Sequence, residues 1–516
     1  MKTLKYILGV LAAAAALTSC VGDLNVTPID PNANTADKAL VNEAAYEQFL
    51  AGVYLGFATS GYYGANGSAS ISGLDGGASQ YIRGLYHHSE LTTDESVCGW
   101  NDQTIKNFHW GNWTTDDTFI YAFYSRIFMQ VGMANEFIRE AKASDVDFAK
   151  KQQYIDEARV LRAIAYFHAI DNFGNVPFAD ETAVVGVNPD QISRADLYEW
   201  LVTELTDLAS NSALPEKSGT VYGHVNKSVA KFLLAKVYLN AQVYTGTPAY
   251  DKCASVLSDL MNDGYSLHTT SAGVYSAYQE LFLADNNLRT DEIIFAVEQD
   301  GVNTTSYGAT NYLIFASTGG TMDVSKIGIS SGWGGLRTTP EFYDKFSATD
   351  ARNLFYTATQ QKSIDDIGEF TNGYAFMKFR NRTSDGGYGQ EKGFVDTDFP
   401  MMRYADVLLM AAECQARGAS IDGLKAYNQV RERAGMPTVS SLSLNEIIDE
   451  RGRELYQECW RRNDLIRFGL FTSSDYVWQW KGGTQSGTGV ESYRALFPIP
   501  DSDRLANNKL AQNQGY

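Results

Sequence analysis

Aromatic and hydrogen-bonding side chains lie among glycines in two stretches of this 516-residue sequence. In the first stretch, Asp75 and Arg83 flank a Gly76-Gly77 pair, and Trp100 and Asn101 follow further on. A flat ring covers an apolar ligand face, whereas Asp, Asn and Arg form directional hydrogen bonds, which are charge-assisted for the two ionised types. Sugar rings offer an apolar C–H face flanked by hydroxyls. This residue combination therefore predicts a carbohydrate-binding surface.

The second stretch adds further rings. Tyr307 and Tyr312 stand close together, and Trp333 lies within Gly332-Trp333-Gly334. A tryptophan between glycines has few local side chains to pack against, which favours an exposed ring. Each of these aromatics taken alone is as consistent with core packing as with ligand contact. Their grouping in two loop regions favours ligand binding.

Motifs for catalysis give no positive signal. Gly328-Ile329-Ser330-Ser331-Gly332 fits the G-x-S-x-G pattern, but no histidine follows residue 268, and a hydrolase of that type needs one after the nucleophile. Adjacent acids, Asp116/Asp117 and Asp365/Asp366, are candidates for a glycosidase pair, although such neighbours are usually solvated loop residues. The formal charge of −19 disfavours nucleic acid as a partner. The residues favour binding over catalysis.

The N-terminus has the pattern of an exported lipoprotein. Lys2 and Lys5 precede an apolar run of about twelve residues, which is shorter than the roughly twenty that span a bilayer. Leu17-Thr18-Ser19-Cys20 matches a bacterial lipoprotein box. The sequence predicts a signal peptide at 1–19, lipidation of Cys20 and a tether at 20–35. None of the later cysteines lies in a CxxC motif, and they are predicted to be small buried hydrophobic residues: Cys98, Cys253, Cys414 and Cys459.

Helical periodicity dominates the remaining chain and predicts a mainly α fold. The predicted helices are Ala36–Ala58, Thr118–Ala143, Phe148–Asn172, Arg194–Asn211, Lys227–Val243, Tyr250–Asp263, Tyr404–Arg417, Ile421–Ala434 and Leu444–Phe468. Several form predicted antiparallel pairs with small residues at the crossing, a pattern that resembles tetratricopeptide repeats. The irregular stretches are Gly61–Trp113 and Asp291–Asp398. Near the C-terminus, Asp449/Arg453 and Glu458/Arg462 are predicted as polar-face pairs.

Several sequence blocks carry a family resemblance. They are Asp23-Leu24-Asn25-Val26-Thr27-Pro28, Glu90-Leu91-Thr92-Thr93-Asp94-Glu95, Phe173-Gly174-Asn175-Val176-Pro177-Phe178, Arg403-Tyr404-Ala405-Asp406 and Glu450-Arg451-Gly452-Arg453-Glu454-Leu455. In this order they resemble the RagB/SusD family of glycan-binding surface lipoproteins of Bacteroidetes. The resemblance implies an all-α, SusD-like fold in which tetratricopeptide-like hairpins pack against an irregular ligand-binding region with few short strands. It also implies a single domain over 36–516, with parts at about 36–264 and 265–516.

The resemblance to starch-binding members also implies roles for individual residues. The expected glycan-binding residues are Asp75, Arg83, Trp100, Asn101, Tyr307 and Trp333, with Tyr312 as the alternative to Tyr307. The expected function is non-catalytic capture of starch at the outer-membrane surface and delivery to a SusC-like TonB-dependent transporter. No cofactor is expected to be required, and a structural calcium ion would take Asp285, Asp396 and Asp398. Alternatives are another glycan or peptides as ligand, a surface glycoside hydrolase, and a structural lid that contacts no ligand.

Overall fold

A computed structural model describes residues 39–516 of the chain. The predicted signal peptide, the lipidation site Cys20 and the tether at 20–35 lie outside the described residues. No helix in the described range is both long enough and apolar enough to cross a membrane. One hydrophobic core cluster extends from Tyr46 near the start of this range to Leu510 near its end.

Helices make up most of the regular structure, as predicted. In chain order they are α1 (Glu43–Ala58), α2 (Tyr81–Ser89), α3 (Gln103–Trp110), α4 (Thr118–Ala143), α5 (Lys151–Phe173), α6 (Arg194–Ser210), α7 (Lys227–Leu239), α8 (Ala241–Thr245), α9 (Tyr250–Leu260), α10 (Ala277–Glu280), α11 (Ala309–Ala316), α12 (Val324–Ile327), α13 (Pro340–Tyr343), α14 (Tyr404–Ala416), α15 (Gly423–Arg433), α16 (Leu444–Leu455), α17 (Arg461–Arg467) and α18 (Asp501–Ala506). Several begin at a side chain that caps first-turn N–H groups, including Asp117, Ser193, Asn226 and Ser443.

The strands are short. They are β1 (Val97–Cys98), β2 (Val176–Pro177), β3 (Gln191–Ile192), β4 (Ile293–Val297), β5 (Leu336–Thr338), β6 (Phe355–Tyr356), β7 (Tyr374–Phe376) and β8 (Phe399–Arg403). A four-stranded antiparallel sheet has the order β1-β5-β7-β6, and two-stranded ladders join β2 to β3 and β4 to β8. The first sheet links the two irregular stretches of the sequence.

The predicted helix hairpins are confirmed. Helix α7 packs on α9 and α14 packs on α15, and further contacts of α5 with α6, α6 with α7 and α9 with α14 join them into one stack. Close approach depends on small residues: a Cβ added at Gly423 would lie 2.4 Å from the carbonyl oxygen of Ala411. The predicted helix Lys227–Val243 is divided at Asn240 into α7 and α8. The cysteines predicted to be buried are buried: Cys98, Cys253, Cys414 and Cys459.

The prediction of one continuous helix at Leu444–Phe468 is wrong. Helices α16 and α17 are separated at 456–460, where Gln457 and Cys459 have φ values of 60° and 68°. The backbone N–H of Gln457 donates to the Glu95 carboxylate at 2.6 Å. Buried polar contacts with distant partners therefore override the local helical pattern.

The polar-face pairs predicted around this segment are also wrong: Glu458 and Arg462 are buried, whereas Asp449 and Arg453 are half-buried and pair with other residues. The ion pairs that form instead are Asp449 with Lys345, Glu450 with Arg453, and Glu458 with Lys378 and Arg403. Burial alone would raise the pKa of Glu454, but neighbouring arginines, Arg433 first, outweigh it and lower that pKa to about 2. These ions belong to the interior and fix the geometry of the C-terminal part.

Candidate functional site

Strand pairing brings two distant tryptophans together. The backbone N–H of Gly99, which follows β1, donates to the carbonyl oxygen of Gly335, which precedes β5, at 3.0 Å. Trp100 therefore lies beside Trp333, with ring centroids 6.3 Å apart and planes at 49°. The indole Nε1 of Trp100 donates to the carbonyl oxygen of Trp333 at 3.2 Å. Glycine is required at 335, since an added Cβ would lie 2.8 Å from the Trp100 ring.

Tyr307 continues this aromatic surface from the turn that precedes α11. Its ring centroid is 6.1 Å from that of Trp333, and the planes meet at 58°. All three rings are half-buried, so one part of each packs on the protein while another part is exposed to solvent. We call the surface formed by Trp100, Trp333 and Tyr307 the aromatic arc. The two loop regions singled out from the sequence thus contribute to one surface.

The core supports the arc from below. Trp333 packs on Phe315 of α11 at a centroid distance of 5.0 Å, and its backbone N–H donates to the Phe315 carbonyl oxygen at 2.8 Å. The ring of Phe370 lies close to the backbone of Gly319 and Gly334. Trp333 is therefore only partly exposed, because tertiary neighbours replace the local packing that its flanking glycines cannot provide.

Arg83 and Asp75 lie beside the arc. Arg83 is in the first turn of α2, and its guanidinium lies 4.4 Å from the centroid of Tyr312 and 5.6 Å from that of Trp100. Its Nη1 donates to the Tyr307 carbonyl oxygen at 3.2 Å, and burial lowers its pKa. A Cβ added at Gly77 would lie 3.4 Å from both Arg83 Nη1 and Asp75 Oδ1. A glycine at 77 therefore lets both charged groups approach the same place.

The structure separates the two candidate tyrosines. Tyr312 is fully buried in α11, where its ring contacts Tyr86 and His87 and supports Arg83. Tyr307 is half-buried and belongs to the arc. Of the two, only Tyr307 offers a ring face on the arc.

Asn101 is exposed next to Trp100, and its side-chain oxygen accepts a hydrogen bond from Lys106 of α3. The sequence pattern alone does not indicate that Lys106 belongs to this surface. It stands five residues from Asn101, within the first helical turns after the loop. A cation at this position provides a further hydrogen-bond donor beside the arc.

Two more residues at the Tyr307 end were missed from the sequence. The Tyr307 hydroxyl donates to Asn66 Oδ1 at 2.9 Å, and the ring of Phe394 lies 5.4 Å from that of Tyr307. Both lie in the irregular stretches, and each has a glycine next to it in the sequence. The glycine beside each of them is the one sequence feature that could have indicated Asn66 and Phe394 as site residues.

The carboxylates proposed for calcium do not form a ligand set. Among residues 39–516, no three histidine, cysteine or acidic side chains form a group that could hold a metal ion. Asp285 accepts from Ser384 Oγ at 2.5 Å, Asp396 from the N–H of Gly301 at 2.8 Å, and Asp398 from the Tyr222 hydroxyl at 2.7 Å. Burial raises the pKa of Asp398 to about 7. Asp285, Asp396 and Asp398 therefore act as acceptors for protein donors in this structure.

The residues considered as candidates for catalysis lie in a helix cap and in exposed loops. Asp117 caps α4 by accepting from the N–H of Phe119 at 2.9 Å. Asp365 and Asp366 lie in an exposed turn, where both backbone N–H groups donate to Asn372 Oδ1, at 3.0 and 2.9 Å. Ser330 of the G-x-S-x-G match is exposed, and its N–H donates to the Lys392 carbonyl oxygen at 2.9 Å. The N–H contacts of Asp117, Asp365 and Asp366 are those of an ordinary cap and turn.

Comparison with known proteins gives matches along the chain. A family model described as "SusD family" matches residues 349–516, and one described as "Starch-binding associating with outer membrane" matches residues 75–239. The chain is 30% identical to the starch-binding protein SusD of Bacteroides thetaiotaomicron, over an alignment that covers 100% of each.

Solved structures share the fold. Surface glycan-binding protein A from Bacteroides thetaiotaomicron, in complex with laminarihexaose, matches with a TM-score of 0.71 at 20% identity, covering 92% of this chain and 99% of that chain. A SusD-like protein from Bacteroides fragilis matches with a TM-score of 0.71 at 18% identity, covering 95% and 100%. The predicted mainly α, SusD-like fold is confirmed. On the full-length identity to a SusD protein, the chain belongs to the RagB/SusD family.

Proposed function

We propose that the chain is a non-catalytic glycan-binding protein whose aromatic arc holds an α-1,4-glucan of the starch type. The observation that carries this proposal is that Trp100, Trp333 and Tyr307 form one contiguous, half-exposed surface with Arg83 and Asp75 beside it. The apolar faces of sugar rings stack on the aromatic rings, while the hydroxyls form hydrogen bonds with the charged groups.

The orientation of the rings favours a coiled ligand. The ring planes of the arc are not coplanar, since they meet at 49° for Trp100 and Trp333 and at 58° for Trp333 and Tyr307. Such a surface suits a glucan whose sugar units rotate along a helix better than it suits a flat, ribbon-like chain. The full-length relative described as starch-binding supports the same class of ligand.

We further propose that the protein acts at the outer-membrane surface. Lipidation at Cys20 would anchor it there, and a SusC-like TonB-dependent transporter would receive the captured glycan. The lipoprotein box at Leu17-Thr18-Ser19-Cys20 supports the anchor. The family model described as starch-binding and associating with the outer membrane supports the location. In this arrangement, the helix-hairpin stack would pack on the transporter while the arc contacts the glycan.

A second candidate keeps the architecture and changes the glycan. A solved structure with the same fold is described as a complex with laminarihexaose, a β-linked glucan. Affinity electrophoresis in gels that contain amylopectin or laminarin separates the two candidates. Retardation in amylopectin that is lost in Trp100→Ala and Trp333→Ala supports starch. Retardation in laminarin alone rejects starch, and migration unaltered in either gel rejects both glycans and leaves peptides as the next ligand class to test.

Catalysis is tested separately. Incubation of the purified chain with maltooligosaccharides is expected to release no new reducing ends. Release that is abolished by Asp or Glu substitution would show a glycoside hydrolase and reject the non-catalytic proposal.

A further inference from the structure

Two adjacent tyrosines are exposed beyond the arc. The side chains of Tyr62 and Tyr63 are 79% and 83% exposed, although both are large enough to bury in a core. They stand in the loop between α1 and α2, which is rich in glycine and serine. Paired exposed aromatic rings are typical of surfaces that bind a ligand.

This loop is held in place by a buried arginine. Arg126 of α4 is only 3% exposed. Its Nε donates to the Ser79 carbonyl oxygen at 2.6 Å, its Nη1 to Ser70 Oγ at 2.8 Å, and its Nη2 to the Ser60 carbonyl oxygen at 2.8 Å. One guanidinium thus ties together both ends and the middle of the loop that carries Tyr62 and Tyr63. The exposure of the two rings is therefore set by a fixed loop conformation.

The same loop contacts the Tyr307 end of the arc. Asn66 accepts the hydroxyl hydrogen bond of Tyr307, and the N–H of Ala65 donates to Thr305 Oγ1 at 3.2 Å. A Cβ added at Gly67 would lie 2.5 Å from Tyr63 Cβ, so the backbone that carries Tyr63 folds back close to the segment that meets the arc. The loop that carries the tyrosine pair therefore adjoins the Tyr307 end of the arc.

A small cavity with polar and apolar lining residues opens beside Tyr62. Its volume is about 130 Å³. Polar groups around it include Thr59, Ser70, Asn303 and Thr305, with Met129 and Met133 on the apolar side. Hydroxyl and amide groups next to an exposed ring can form hydrogen bonds with the hydroxyls of a sugar.

We propose that Tyr62 and Tyr63 form a second platform, which binds further sugar units of the glycan held on the aromatic arc. The proposal rests on the function proposed above and adds that affinity depends on the length of the glycan. A short oligosaccharide is bound by the arc alone. A longer one extends past Tyr307 and stacks on the tyrosine pair, on a loop that needs no further ordering.

The experiment compares two probes by isothermal titration calorimetry: maltotriose, which has as many sugar units as the arc has rings, and maltoheptaose, which has more. The double variant Tyr62→Ala/Tyr63→Ala is measured against wild type. The matched control is Val184→Ala/Val185→Ala, two adjacent apolar residues that are 72% and 77% exposed in the loop between β2 and β3. Thermal unfolding of each variant reports on folding.

We expect the tyrosine variant to bind maltotriose like wild type and to lose about three- to tenfold in affinity for maltoheptaose. The valine control is expected to bind both probes normally. Equal affinity of wild type and tyrosine variant for maltoheptaose would overturn the second platform while leaving the arc intact. An equal loss for both probes would overturn it as well, because the tyrosines would then act through the arc. Wild-type protein that binds neither probe would reject the starch proposal itself, and this inference with it.

Discussion

Trp100 and Trp333 are 233 residues apart in the sequence, yet the indole nitrogen of one donates a hydrogen bond to the carbonyl oxygen of the other at 3.2 Å. This contact joins the two irregular stretches at one point of the surface. It uses the only polar atom of the Trp100 side chain for the protein, so the indole face remains available for a ligand. The pairing of β1 with β5 creates this relationship.

Truncation of either tryptophan of the arc is expected to weaken glycan binding. Trp100→Ala and Trp333→Ala should each lower the affinity for maltoheptaose about tenfold or more, because a central aromatic anchor commonly contributes more than about 1.4 kcal/mol. Calorimetry measures the change, with the Val184→Ala/Val185→Ala protein as control. Affinities within twofold of wild type would show that the arc does not contact the glycan.

Arg126 is expected to act as a positioning residue for the loop at 60–79. Arg126→Met removes a group of hydrogen bonds that each contribute about 1 kcal/mol. Hydrogen–deuterium exchange should show faster exchange of the loop amides, and maltoheptaose should bind more weakly. Arg139→Met on the same helix, where Arg139 is partly exposed, is the control and should leave loop exchange unchanged. Unchanged exchange of the loop amides in Arg126→Met would contradict the positioning role of Arg126.

Much of the helical framework follows from the sequence. The spacing of apolar residues predicts α4 with its observed ends and α6, α7 and α14 to within a few residues. Local periodicity suffices there, because each helix buries one continuous face. The same reasoning fails at Gln457, where a buried hydrogen bond to Glu95 imposes a left-handed backbone.

The candidate site is harder to predict from the sequence than the helices are. Types and spacing single out Trp100, Trp333 and the residues near them, since glycine-flanked aromatics are unusual. The choice between Tyr307 and Tyr312 needs tertiary information, because both lie near the start of α11 and only packing buries one of them. Asn66 joins the site through its hydrogen bond with Tyr307, which is 241 residues away in the chain, so no local sequence pattern predicts it.

The stability of the protein should depend on pH through Glu95. Burial raises the pKa of Glu95 well above its ordinary value of 4.5, and it also raises the pKa of Glu90, which hydrogen-bonds to Glu95. The folded state therefore binds more protons than the unfolded state in the window between the ordinary and the raised pKa values. Stability from these groups is fully present below pH 4.5 and is lost as the pH rises through the raised pKa values. Glutamine at position 95 keeps a side-chain oxygen that can accept the hydrogen bond from the Gln457 N–H, and it does not titrate.

Urea unfolding of wild type and Glu95→Gln at several pH values measures this effect. The stability of wild type relative to the variant is expected to fall by up to about 1.4 kcal/mol per pH unit within the window. Parallel stability curves for the two proteins would contradict a raised pKa at Glu95.

Loss of a buried cation is expected to destabilise the protein more than loss of an exposed one. Arg403 contacts Glu292 at 2.6 Å, Glu454 at 3.0 Å and Glu458 at 2.7 Å, all buried. Arg403→Met leaves these carboxylates without their shared cation and should lower the free energy of unfolding by about 3–5 kcal/mol. Lys362→Met breaks an exposed pair with Asp344 and should cost less than about 1 kcal/mol. Similar urea midpoints for the two variants would contradict a stabilising role of the buried ion pairs of Arg403.

The arc itself is tested most directly by a crystal structure of the protein soaked with maltoheptaose. We expect density for consecutive sugar rings stacked on Trp100, Trp333 and Tyr307, with ligand hydroxyls in hydrogen-bond contact with Arg83 and Asp75. Density for the oligosaccharide at another surface, with these three rings left uncovered, would contradict it.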